Sequence, residues 1–210
     1  MTIPHCRFLL LILACCLAWS SAQSQVENAS QPSRTVKGQV LTSTSLPRIR
    51  LKFDKHFQYA GTQKFVLYGR SQAEQFFFVD TDSHGQFRRM YLIQFEGYLP
   101  NINATYDYAV TETVVLNGQT YIVNTASVPS VSAVRKQEPE SDAARAVIFL
   151  TQKGFHVPES VRYQRFVRLV DDTKRNEFIL VYIENASTAT PETSGKELST
   201  RALKGVRVLD

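Results

Sequence analysis

Two glutamates stand where carboxylate chemistry is possible. Glu96 and Glu184 each close an apolar run, and the two runs share one plan. Gln75–Leu99 reads QFFFVDTDSHGQFRRMYLIQFEGYL, and Arg162–Glu184 reads RYQRFVRLVDDTKRNEFILVYIE. Each gives an apolar strand, Val-Asp, a polar turn, a second apolar strand and a Glu. On neighbouring strands such carboxylates would share a proton or act as an acid/base pair, which defines a hydrolase reading. The same residues serve equally as structural ion pairs, with Arg162, Arg165 and Arg168 close enough in sequence to neutralise them.

A third use is the polar end of an otherwise apolar ligand pocket. Arg165 shares a face with Val161, Tyr163, Val167 and Leu169, a setting in which an arginine needs an anionic partner. The even face of 88–98 is apolar at first and then turns polar at Gln94 and Glu96, where unpaired burial would be costly. Polar residues at the ends of buried strands therefore nominate Gln94, Glu96, Tyr98, Arg165, Tyr182 and Glu184 as a ligand lining.

A second set is cationic. Arg88 and Arg89 lie near one hairpin tip, and Lys174 and Arg175 near the other. With Arg162 and Arg168 they would form a basic patch for an anionic surface polymer or lipid headgroups, in keeping with a net charge of +5. No aromatic-basic motif points to nucleic acid, which is not expected as a partner.

Other motifs fall short of a site. Asp80–Gly85 begins like a calcium loop, but its twelfth position, where a bidentate Glu is needed, is Tyr91. His56, His84 and His156 lack metal-site spacing. Gly69-Arg70-Ser71 resembles a nucleophile elbow with Ala73 in place of the second glycine. No metal, no cofactor and no catalytic residue is assigned.

The elements that must position these residues follow from periodicity. The odd positions Phe87, Tyr91, Ile93, Phe95 and Leu99 mark a strand facing a core, and Phe178–Ile183 is apolar on both faces, as a central strand would be. Asn117-Gly118 between apolar runs signals a hairpin over 105–125. Val36–Leu41, Arg48–Phe53 and Lys64–Tyr68 read as further strands, and the capping-box spacing Ser71–Glu74 predicts a single helical turn. Ser127–Pro139 reads as a loop. Ser141–Lys153 reads as a helix: Ser141 or Asp142 can cap it, and Ala143, Ala146, Val147 and Leu150 form its apolar stripe.

The chain starts with His5 and Arg7, the apolar run Phe8–Leu17 and the small residues Ser20-Ser21-Ala22. That is the pattern of a cleaved export signal, too short to span a bilayer, and no later stretch is long enough either. Cys6, Cys15 and Cys16 all lie in it, so the remainder has no disulfide, thiol nucleophile or thiolate metal site. The expected location is the periplasm or the cell exterior. N-A-[ST] sequons occur at Asn28, Asn103 and Asn185.

The expected layout is a signal at 1–22, a flexible leader at 23–46, one domain at 47–185, and a linker and tail at 186–210. The expected fold is α+β: an antiparallel sheet of about six to eight strands on one principal helix at 141–153. The leading function is an exported non-enzymatic binding module for a small apolar or anionic ligand. The alternatives are a structural protein pairing through edge strands or tail, and a hydrolase using the Glu pair.

Overall fold

Two stretches, 87–98 and 176–185, are apolar on both faces for most of their length, and such strands need a cover on each side. The computed structural model describes residues 32–110, 112–187 and 195–209. In chain order they form β1 (Arg34–Lys37), β2 (Val40–Ser43), β3 (Ile49–Phe53), β4 (Gln58–Leu67), β5 (Ser71–Thr81), β6 (Phe87–Tyr98), β7 (Thr113–Leu116), β8 (Gln119–Val128), α1 (Val131–Gln137), α2 (Asp142–Gln152), β9 (Val161–Leu169), β10 (Asn176–Asn185), α3 (Gly195–Lys204) and β11 (Val206–Leu209).

Seven strands make one antiparallel sheet in the order β4-β5-β6-β10-β9-β8-β7, and four make a second, β1-β2-β3-β11. The large sheet is the middle layer. On one face, Phe76, Phe78, Tyr91, Ile93, Phe178 and Tyr182 pack against Leu41, Leu51 and Phe53 of the small sheet and against Leu198 and Ala202 of α3. On the other, Phe77, Val79, Met90, Leu92, Ile179 and Val181 pack against Ala146 and Leu150 of α2. The fold is the expected α+β arrangement, with α2 close to the expected helix and Ser141 capping it by accepting from the Ala144 N–H at 3.1 Å.

Four local expectations are corrected. Ser71–Glu74 is strand, not a helical turn, because both polar side chains are used across strands: Ser71 Oγ donates to Glu96 at 2.6 Å, and Arg34 donates to Glu74 at 2.8 Å. The strand expected at Lys64–Tyr68 begins earlier, at Gln58, and passes through a bulge between Tyr59 and Gly61; Gly61 has φ +132, and a Cβ there would stand 2.9 Å from the Phe149 ring. The expected loop at 127–139 holds the end of β8 and all of α1, whose Ser130 cap accepts from the Ala133 N–H. The hairpin around Asn117-Gly118 forms, with both residues at positive φ, but its first strand starts only at Thr113.

The segments expected as leader and tail also take part. β1 and β2 come from the first, and α3 and β11 from the second; β2 and β11 pair with β3 on its two sides. The expected signal at 1–22, the first part of the leader with Asn28, and residues 188–194 of the linker lie outside the described residues. Among the described residues, no helix is long and apolar enough to cross a membrane.

Candidate functional site

Strand parity decides what reaches the helix-covered face. Met90 and Leu92 of β6, Val167 of β9, and Ile179 and Val181 of β10 lie on it. Stepping by two along each strand brings Gln94, Glu96, Arg165 and Glu177 to the same face. There, between the sheet and α1 with α2, lies a cavity of about 520 Å³, inside the range of about 300–1,000 Å³ usual for small-molecule sites. Leu92, Val131, Ala146, Leu150, Val181 and Ile183 are among its apolar walls. Its polar lining is Gln94, Arg135, Asp142 and Arg165, together with Tyr163.

A buried amide relay holds Gln94 in place. Gln63 donates to Gln75 at 2.7 Å, Gln75 to Gln94 at 2.6 Å, and Gln94 to Glu96 at 2.6 Å, with a longer bond from Gln94 to the Asp142 carboxylate at 3.4 Å. Glu96 also accepts from Ser71 at 2.6 Å and from Tyr106 at 2.9 Å. These bonds offset the desolvation of a buried carboxylate.

Beside this relay stands Glu177, directly across the strand pair from Glu96. Facing side chains in such a pair have Cβ atoms about 5 Å apart. Glu177 is 3% exposed, and burial pushes its carboxyl up to about 7. The Glu96 and Asp142 charges add to that rise, while the Tyr108 hydrogen bond and the Arg165 charge pull against it. The Tyr108 hydroxyl donates to Glu177 and receives a bond from Arg165 Nη2 at 3.3 Å. Burial and the Glu177 charge raise the Tyr108 pKa, so this phenol stays protonated and keeps donating.

Of the six residues nominated as a ligand lining, Gln94 and Arg165 come together in the cavity, and Glu96 supports Gln94 from behind. Tyr98 stacks on Tyr106 with ring centroids 4.4 Å apart and lines, with Glu96 and Arg34, a separate hollow of about 320 Å³. Tyr182 and Glu184 lie on the opposite face. Tyr182 packs in the core under the small sheet and donates to Glu184 at 2.7 Å. Arg201 of α3 grips Glu184 through two bonds of 2.7 and 2.8 Å, and Arg162 approaches it at 3.8 Å.

The Glu96–Glu184 pair is therefore not formed. Glu184 is opposite Arg89, seven register positions from Glu96, or about 23 Å along the strand. The six cations do not form one patch either. Arg88, Arg89 and Arg162 gather at one end of the sheet, where Asp80 binds the first two at 2.6 and 2.7 Å. Arg168, Lys174 and Arg175 are at the other end. There Arg175 donates to the carbonyls of Leu99, Ile102 and Ala104, and Arg168 donates to Gln119. The Asp80–Gly85 segment is a turn in which Asp82 accepts from the His84 and Gln86 N–H groups at 2.8 Å each. Among the described residues, no cluster of His, Cys, Asp or Glu could hold a metal ion.

Glu177, Tyr108 and Asp142 were not nominated from sequence. Asp142 was legible only as a helix-capping residue. Glu177 is two positions before Ile179, so its face could have been read, but its partner Glu96 depends on β10 pairing with β6. Nothing in the sequence around Tyr108 marks it.

The sequence matches no protein-family model, and neither the curated proteins nor the solved structures provide a match.

Proposed function

We propose that this chain is an exported, non-enzymatic binding module that holds a small apolar or anionic ligand between α2 and the large sheet. The observation that carries the reading is a cavity of about 520 Å³ with apolar walls and a few convergent polar groups, the usual make-up of a small-molecule site. A second support is the amide relay, which spends several buried bonds on fixing Gln94 at the cavity wall. Export is supported by the residue pattern at 5–22. Binding is favoured over hydrolysis because neither Glu96 nor Glu177 lines the cavity, and the Glu96 carboxylate already accepts three hydrogen bonds.

The test uses the neutral fluorophore N-phenyl-1-naphthylamine, which brightens in an apolar site. Saturable binding at one probe per chain is expected. An Ala146→Phe variant, which fills the cavity, should lose it while keeping its circular dichroism spectrum. No saturable binding to the unaltered protein, or undiminished binding to folded Ala146→Phe, would overturn the proposal.

A further inference from the structure

Among the partly buried arginines, Arg165 and Arg168 are held by neither a carboxylate nor a backbone carbonyl, and of these two only Arg165 lines the cavity. Arg34 is paired with Glu74, Arg89 with Asp80, and Arg162 and Arg201 with Glu184. Arg175 is bonded to three backbone carbonyls. Arg165 forms no salt bridge among the described residues. Its one hydrogen bond goes to the neutral Tyr108 hydroxyl at 3.3 Å, and its guanidinium carbon lies 5.4 Å from the centre of that ring. A guanidinium has five N–H donors in a planar fork, and those of Arg165 that have no acceptor among the described residues are not fully buried, so they stay open to a ligand in the cavity that Arg165 lines. A guanidinium open on an apolar wall is a ready partner for an anion that reaches it.

The carboxylates near it are already occupied. Asp142 caps its own helix through the Ala143 N–H at 2.7 Å and accepts from Gln94. Glu177 is closed off by Tyr108. The charged lining of the cavity is thus two arginines, Arg135 and Arg165, against one aspartate. Arg135 is exposed on α1, where a cation can draw an anion toward the cavity.

We propose that the cavity takes a single-chain amphiphile with one carboxylate head, a fatty acid in chemical class, its head bound by the Arg165 guanidinium and its chain lying against Leu92, Ala146, Leu150 and Val181. This rests on the binding reading above and adds the head-group chemistry. A planar carboxylate matches the guanidinium fork through two parallel bonds. An excess of one positive charge in the lining suits a monoanion better than a phosphate that carries a second charge.

The experiment is displacement of N-phenyl-1-naphthylamine by palmitate, its methyl ester and a lysophosphatidate of the same chain length. Palmitate should compete at least tenfold better than the ester, and also better than the lysophosphatidate. Equal competition by acid and ester would overturn the head-group assignment and leave the binding reading intact. A lysophosphatidate that outcompetes palmitate would overturn the carboxylate in favour of a phosphate. Absence of probe binding would sink both proposals. In Arg165→Met the acid-to-ester ratio should fall to near one, and Arg165→Lys should recover part of it. A ratio unchanged in a folded Arg165→Met would also overturn the assignment, because a merely structural arginine has no reason to distinguish acid from ester.

Discussion

Glu177 and Glu184 lie on the same strand, and their carboxyls are driven in opposite directions. Burial is the largest influence on both, and it raises both. At Glu184 it is outweighed by hydrogen bonds from Arg201 and Tyr182 and by the Arg201 and Arg162 charges, which hold the group below the usual carboxylate range. At Glu177 no cation among the described residues forms an ion pair, and the neighbouring Glu96 and Asp142 charges add to burial. An odd separation along a strand puts the two on opposite faces, so one meets α3 and the other meets the wall beside the cavity. The contrast separates a fastener from a site. A buried carboxylate between two arginines holds elements together. One left without a direct ion pair beside a cavity is the kind of group that marks function.

The largest expected effect comes from breaking the fastener. Glu184→Ala leaves Arg162 and Arg201 without their carboxylate and Tyr182 without an acceptor, and should cost about 3 kcal/mol in urea unfolding at neutral pH. A loss below about 1 kcal/mol would mean that the ion pair does not hold α3 to the sheet.

The pH dependences sharpen the contrast, because the signs oppose. Glu177 has a raised value of about 7 against an ordinary 4.5. Its stabilising contribution is full below the ordinary value and is lost as pH rises through about 7, to a total of up to about 3 kcal/mol. Glu184, lowered, contributes above the ordinary carboxylate range and loses that contribution as pH falls through its native value. Glu177→Gln should therefore remove a decline in stability between about pH 4.5 and pH 7. If the unfolding midpoints of the variant and the unaltered protein run parallel over that window, Glu177 does not titrate as described.

The smallest effects compare two alanines on the two faces. Ala202 of α3 is fully buried in the aromatic core, where the Tyr91 hydroxyl donates to its carbonyl. Ala146 of α2 borders the cavity. Ala202→Leu should cost about 1–3 kcal/mol through overpacking, while Ala146→Leu should stay within about 1 kcal/mol because space is available. Similar thermal shifts for the two would remove the distinction between a packed face and an open one.

Part of this site could be read from the residues. Gln94 and Arg165 each interrupt an apolar face of their own strand, and parity within a strand is local information. Tyr182 and Glu184 were grouped with them because all end similar runs. Whether two strand ends meet depends on register, which is a relation between strands. The matched glutamates of the two hairpins fall on opposite faces, so the resemblance between the hairpins does not extend to what they face. Ser127–Pro139 reads as loop by its composition, and α1 within it has no fully buried side chain that would mark an apolar stripe. The helix gains its place by joining α2 over the cavity.

Alternation and capping are encoded within a few residues of each position. They suffice for an α+β chain with strands at 48–53, 87–99 and 178–183 and a capped helix at 141–153, all within two residues of the observed elements. The facing of Glu96 with Glu177, the coupling of Glu184 to Arg201 and the seating of Arg165 beside Tyr108 join residues separated by 81, 17 and 57 positions. Those contacts exist only once the pairing of β6 with β10 and the layers above and below the sheet are in place. Local sequence cannot specify them, because each depends on which distant surface buries which face.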